Sequence, residues 1–422
     1  MTDLDDVVIT GLGVVSPIGI GRDAYWKSML EGRSGVGPLA VAHASDLPVK
    51  IGGEIKNFDG KQFVKPRKSM KVMCREIQVG YSAAVLTLQD AGLSTGTVDP
   101  DRFGVVLGSE MFYCDLDELA DAYRKCVVDG QLRPELWGAG AMSDMYPLWM
   151  LKYLPNMVAC HIAITEDARG PNNTITLDEV SSLLAVIESV CYIQRGAADV
   201  MLAGGQGSRV NLTRIMYRGD TYWSHRNEEP ERACRPFDAR RDGTVIGEGA
   251  GAFLLESRRH AESRGAKILA RVLGFGRSFE HMRGQHTAGP DGFRRAIEGA
   301  LASAGLGPDD IGHVNAHGSG TIAGDRFEAE AIRHCLGDVP VTAPKSYFGC
   351  LGAGTGAVEM AASVLAIAMG TIPATLNFEF PDPACPVNVV HSQPWPTDKR
   401  TALVLNQSET GQTAAVVLGP PD

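Results

Sequence analysis

Four residues stand where their types and neighbours could do chemistry. Glu179 lies at the centre of GPNNTITLDEVSSLLA, residues 170–185, between a strand-like and a helix-like run; His317 lies in VNAHGSGT, and Lys345 and Cys350 in KSYFGC. A thiol, an imidazole and a carboxylate are the parts of a nucleophile, its base and the group that orients the base, and Glu179 or His317 alone could serve as a general base. A carboxylate at a helix N-terminus is favoured by the macrodipole and by free backbone N–H groups, so Glu179 is expected to be ionised. The structural alternative for each residue is plain. Glu179 would cap its own helix and pair with His317 or Lys345, Lys345 would pair with Glu328 or Glu359, and Cys350 would be a small buried core thiol. Cys191 is no substitute nucleophile, because twelve residues along a helix place it about 18 Å from Glu179.

These residues need a scaffold, and the chain is long enough to supply one. With 422 residues, 44% of them hydrophobic, it can bury a large core as one domain or two intimately packed halves. Strand-like runs alternate with amphipathic helices, the pattern of a layered α/β protein. Val7 to Ile9 and Phe103 to Leu107 read as buried strands followed by the glycine turns GLG and GSE, and YSAAVLTLQDAGL reads as a helix stopping at Gly92. Val180, Leu183, Leu184, Ile187 and Cys191 recur at helical spacing, so one face of the helix after Glu179 is expected to be buried. The strand-like DVMLAGG follows. HVNAHG, the helix GAVEMAASVLAIAMG, ALVLNQ and AAVVLG repeat this grammar and suggest an internal duplication. The polar SRRHAESRGAK marks the seam, dividing the chain into residues 1–260 and 261–422.

Composition also excludes classes of function. A formal charge of −10 offers no field for a nucleic acid. Nine cysteines scattered singly fit reduced thiols better than a disulfide framework or a zinc site, and no cofactor or metal is expected. The start, MTDLDDVVITGLG, is acidic where a signal peptide would be basic, and the longest apolar stretch, around Met360 to Met369, is too short to span a bilayer. The expected location is the cytoplasm, without a membrane partner. GLGVVSPIG lacks the third glycine and the acidic residue of a dinucleotide-binding turn.

Several separated segments together resemble the β-ketoacyl-acyl-carrier-protein synthases, the elongating condensing enzymes of fatty acid and polyketide assembly. They are VVITGLGVVSPIG, GRSGV at 32–36, CRPFDARRDGTVIGEGAG at 234–251, VNAHGSGT, DRFEAEAI from Asp325 and KSYFGCLGAGTGAVE. The resemblance covers nearly the whole chain. It implies a thiolase-like five-layer αβαβα fold built from two similar halves, an extensive dimer interface, and a basic run, KPRKSMKVMCR at 65–75, that can meet an acidic carrier protein.

The family's chemistry needs a cysteine thiolate, two histidines and an oxyanion hole. On the residues that match, the nucleophile position falls on Glu179, the first histidine on His317, the second on Cys350, and the lysine on Lys345. Where active members carry a glycine-rich gate with two phenylalanines, this chain has NQSETGQTA, residues 406–414. The resemblance thus narrows to members without the cysteine, such as chain-length factors, which pair with an active β-ketoacyl synthase as a heterodimer. The implied function is a non-condensing subunit shaping a partner's acyl tunnel and meeting acyl carrier protein. One competing expectation is altered chemistry on a carrier-protein thioester through Glu179, His317 or Cys350, which together could form a Cys-His-carboxylate set if they lie close together. The other is a homodimer that binds acyl carriers.

Overall fold

The computed structural model of the chain describes residues 6–40, 46–218, 222–281 and 289–422; the acidic start, residues 1–5, lies outside them. Its principal strands are β1 (Val7–Ser16), β2 (Phe103–Gly108), β3 (Asn172–Ile175), β4 (Val200–Ser208), β5 (Ile246–Ser257), β6 (Ala270–Phe279), β7 (His313–Asn315), β8 (Pro340–Thr342), β9 (Asn388–Val389), β10 (Ala402–Gln407) and β11 (Gln412–Gly419). The helices that matter here are α1 (Arg75–Asp90), α2 (Ser181–Gln194), α3 (Pro290–Ala304), α4 (Ile322–Leu336) and α5 (Thr355–Met369).

Hydrogen bonding runs through the strands in the order β9-β8-β7-β10-β11-β6-β1-β5-β4-β2-β3. The centre of this order is a short antiparallel contact between β1 and β6, in which Val7, Val8 and Ile9 face Val272, Arg271 and Ala270. Counting outward from it, β1-β5-β4-β2-β3 pairs antiparallel, antiparallel, parallel, parallel. The other arm, β6-β11-β10-β7-β8, repeats the same sequence of pairings. The two similar halves expected from the grammar of the sequence therefore appear as two sheet-forming arms, linked at their edges by the one short contact between β1 and β6.

The arms face each other across two helices. α5 packs on β1, β4 and β5 on one side and on β10, β11 and β6 on the other, and α2 packs on β2, β3 and β4 and also on β11. α1 covers the outer face of the first arm, α3 that of the second, and α4 packs on α3. This gives five layers, helix, sheet, helix, sheet, helix. It also corrects the expected buried face of α2: Leu184 and Cys191 are only partly buried, while Ala185, Val186, Val190 and Ile193 are buried as well as Leu183 and Ile187, because sheets press on the helix from both sides. For the same reason the apolar run near Met360 is part of a longer one. Gly352–Met369 spans 18 residues with a mean hydropathy of 1.4, enough by length and composition to cross a bilayer, yet 89% of it is buried inside the protein.

The GLG at 11–13 is not a turn. It lies within β1, where an added Cβ on Gly11 would stand 2.5 Å from Thr87 O and on Gly13 2.1 Å from Ala83 O, so the missing side chains let α1 approach the strand. The second half uses the same device: Gly274 and Gly276 of β6 would place a Cβ 2.4 Å from Ala304 N and 2.0 Å from Ala296 O of α3. Paired glycines two apart share one face of a strand, which is why the spacing works.

Candidate active site

The residues singled out by type converge because the segments carrying them leave neighbouring elements at one end of the layers. Past β3 the chain makes a 3₁₀ turn, Asp178–Val180, and enters α2. Asp178 is held at φ 58°, a left-handed conformation that Asp tolerates better than most residues. Ser181 closes the turn: its hydroxyl accepts from Leu177 N–H at 2.8 Å and donates to Asp178 O at 2.6 Å. His317 follows β7, Lys345 and Cys350 lie between β8 and α5, and residues 408–411 form the tip of the β10–β11 hairpin. Glu179, His317, Lys345, Cys350 and residues 407–410 all line one cavity of about 490 Å³, together with Thr244, Ser319 and Thr321.

At the floor of this cavity Glu179 has partners other than those expected. Its Oε1 accepts from Cys350 Sγ at 2.9 Å and from Arg209 Nη2 at 3.0 Å. Neither His317 nor Lys345 bonds to it among the described residues, and it does not cap its helix. Burial is the dominant influence on its charge, with Asp178 next; together they push Glu179 up to about 7 against the opposing Arg209. The expected full ionisation is therefore corrected, because dehydration of the carboxylate outweighs what the helix terminus and the guanidinium return. Cys350 is 2% exposed and its thiol is pushed by burial up to about 12, so it is both a buried thiol and a wall of the site.

The part of the lining that carries Lys345 and His317 is held by fully buried titratable side chains. Lys345 Nζ lies 2.6 Å from Glu359 Oε1, the second of its two expected partners, and Asn406 Nδ2 donates to Glu359 Oε2 at 2.6 Å. Glu328, the other candidate, instead accepts the backbone N–H groups of His317 and Gly318 at 2.6 and 2.7 Å and so fixes the loop that carries the imidazole. His317 itself keeps a neutral ring: burial, then the cations Lys345 and Arg209, hold it well below the ordinary histidine range. Its Nδ1 is buried without a hydrogen-bond partner. The Cys-His-carboxylate set is thus half assembled, with thiol bonded to carboxylate and the imidazole facing the same cavity unattached.

Arg209, at the end of β4, is the residue that reading the sequence passed over. Its side chain is 3% exposed; it bonds to Asp178, lies 3.0 Å from Glu179 and reaches Glu409 at 3.5 Å. Arg214 extends this line of ion pairs, meeting Glu110 at 2.7 Å. Asp178, Glu179 and Glu409 bring carboxylate oxygens within 4.8 Å of one another, and the guanidinium of Arg209 contacts all three. No spacing in the sequence links Arg209 to its partners at 178, 179 and 409, so only the fold brings them together.

Over residues 4–261 the chain matches the family described as "Beta-ketoacyl synthase, N-terminal domain", and over 269–379 the one described as "Beta-ketoacyl synthase, C-terminal domain". The chain belongs to the β-ketoacyl synthase family. It is 35% identical over 398 residues to "3-oxoacyl-[acyl-carrier-protein] synthase 2" of Synechocystis sp., covering 92% of this chain and 91% of that one. It is 36% identical to "Nodulation protein E" of Rhizobium meliloti, covering 97% and 98% of the two chains. Among solved structures, "The ishigamide ketosynthase/chain length factor" superposes with a TM-score of 0.86 at 29% identity, over 99% of this chain and 100% of that one. A type II polyketide ketosynthase with its acyl-carrier protein, AntDE:AntF, superposes with a TM-score of 0.84 at 27% identity, over the whole of both chains. The fold is the thiolase-like α/β architecture of β-ketoacyl synthases, a family of fatty acid and polyketide biosynthesis.

Proposed function

We propose that this β-ketoacyl synthase family member is a non-condensing, chain-length-factor-like subunit that shapes the acyl tunnel of an active partner synthase. The observation that carries the reading is Glu179 at the cavity floor beside the head of α2, bonded to Arg209 and Cys350. An elongating synthase holds its acyl chain on a thiolate. The thiol nearest this point, Cys350, stays protonated at neutral pH, and a carboxylate partner opposes the build-up of negative charge that carbonyl attack requires.

A partner surface fits this reading. β3 is the last strand of its arm, with one edge unpaired among the described residues, and such an edge invites pairing with a second chain. Exposed apolar side chains cluster in the segment before it, among them Leu116, Leu132, Met142 and Met150. Lys65, Arg67, Lys68 and Lys71 are exposed and offer a basic face to an acidic acyl carrier protein. The solved relatives include a ketosynthase/chain length factor and a ketosynthase in complex with its carrier protein. We place the subunit in the cytoplasm, where reduced thiols and such partners coexist.

One observation favours a second reading. The neutral, unattached His317 imidazole facing the cavity is available as a general base on a carrier-protein thioester. Purification with candidate synthases, followed by intact-mass and product analysis with acyl and malonyl carrier protein, decides between them. The subunit reading expects co-purification with an active synthase, no adduct or product from the chain alone, and product when the partner is present. An adduct on Cys350, or turnover by the isolated chain that disappears in Glu179→Gln, overturns it in favour of the enzyme.

A further inference from the structure

The cavity floor and the hairpin tip come from distant parts of the chain, and a single side chain joins them. Arg209 contributes Nη2 to Asp178 and Glu179 at the head of α2 and Nη1 to Glu409 at the tip of the β10–β11 hairpin. The guanidinium is buried behind Glu179 and does not itself line the cavity, whereas Glu409 does and is half exposed. The tip is further tied by its own bonds: Ser408 N–H donates to Gln412 O at 2.8 Å, Gly411 N–H to Ser408 O at 3.0 Å, and Ser408 Oγ lies 2.6 Å from Gln412 Oε1. A planar fork with five N–H donors can hold carboxylates on several sides in fixed geometry, which a lysine cannot.

We propose that Arg209 is a positioning residue that latches one wall of the cavity: by bridging Glu409 to the head of α2 it pins the 408–411 tip in place and holds Glu179 against Cys350. The cavity wall is then set by the protein's own ion pairs, whatever occupies the cavity or pairs with the chain. This latch stands on geometry independent of the non-condensing reading, and its test uses no carrier protein or partner synthase.

The test is hydrogen exchange and thiol labelling on the full chain. Glu409→Gln cuts the latch at its exposed end and leaves the buried Arg209–Asp178–Glu179 contacts in place, so it reports on the bridge without threatening the fold. Amides of residues 408–412 are expected to exchange about two- to fivefold faster in Glu409→Gln, and Cys350, followed by peptide mass mapping, to be alkylated by N-ethylmaleimide faster by a similar factor, the range an ion pair with one exposed end can supply. Arg209→Met is expected to accelerate exchange of the same amides, and the double variant to exchange no faster than Arg209→Met alone, because the two side chains act through one contact. Wild-type exchange and labelling rates in Glu409→Gln overturn the proposal. So do additive accelerations in the double variant, which a merely structural role for each side chain would give. If Arg209→Met does not fold, the two Glu409→Gln readouts decide alone.

Discussion

The two walls of the cavity solve the same problem, a charge out of water, in different ways. On the wall built by the second half, Lys345 and Glu359 neutralise each other at 2.6 Å, Asn406 serves the remaining carboxylate oxygen, and Glu328 is fed by two backbone N–H groups. Every member is buried and each has a near-neighbour dedicated to it. On the wall built by the first half, one guanidinium serves three carboxylates, and the line of pairs surfaces at Glu409, whose side chain is 52% exposed. The first arrangement is a closed structural lock; the second is an adaptable one with access to water and protons. The difference teaches that the charges beside His317 and Lys345 are satisfied one by one inside the protein, whereas those at the helix head share a single counter-ion.

The comparison breaks most readily at Lys345. Lys345→Met strands the fully buried Glu359 and is expected to cost about 3–5 kcal/mol in urea unfolding, the range for removing one partner of a buried pair. Arg209→Met is expected to cost less, about 2–3 kcal/mol, because one of its three carboxylates, Glu409, reaches solvent, whereas Glu359 does not. A larger loss for Arg209→Met than for Lys345→Met would reverse the assignment of lock and adaptable wall.

A pH series sharpens the contrast. Burial raises Glu328 to about 8 and Glu359 and Glu179 to about 7, all above their value in the unfolded chain, so the folded state holds protons that the unfolded state has released. Their contribution is complete below the ordinary carboxylate range and is lost as pH rises through the folded values, at a slope of up to about 1.4 kcal/mol per pH unit for each group. His317 and His313 lie below the ordinary histidine range and act in the opposite sense, losing stability as pH falls below about 6.5. Stability is therefore expected to decline between about pH 6.5 and 8, and Glu328→Gln is expected to flatten that decline more than Glu179→Gln. An equal effect of the two substitutions would erase the difference between the walls. The smallest effect belongs to Glu409→Gln, which, at an exposed pair, is expected to change unfolding stability by no more than about 1 kcal/mol while still loosening the hairpin tip.

Much of this was legible in the residues themselves. The order of strands and helices, the repetition of one grammar in two halves, and the four residues that meet at the cavity follow from types, spacing and the segments that resemble β-ketoacyl synthases. What misled was local reading of features whose cause is tertiary. GLG at 11–13 has the composition of a turn, but its glycines are demanded by the approach of α1, and GFG at 274–276 by that of α3. α2 carries a periodic apolar face, yet a helix between two sheets is buried beyond that face. The charge on Glu179 was judged from the helix end alone, without the burial that dominates it, and Arg209 was invisible because no spacing links residues 178, 209 and 409. Three-dimensional proximity, not pattern, supplies that contact.

The sandwiched position of α5 carries a consequence for biogenesis. The first arm depends on residues 355–369 to cover an apolar surface of β1, β4 and β5, and those residues emerge from the ribosome only after most of the chain has been made. Until then the nascent first half leaves that face uncovered, so truncations before residue 355 are expected to aggregate rather than persist as a free half.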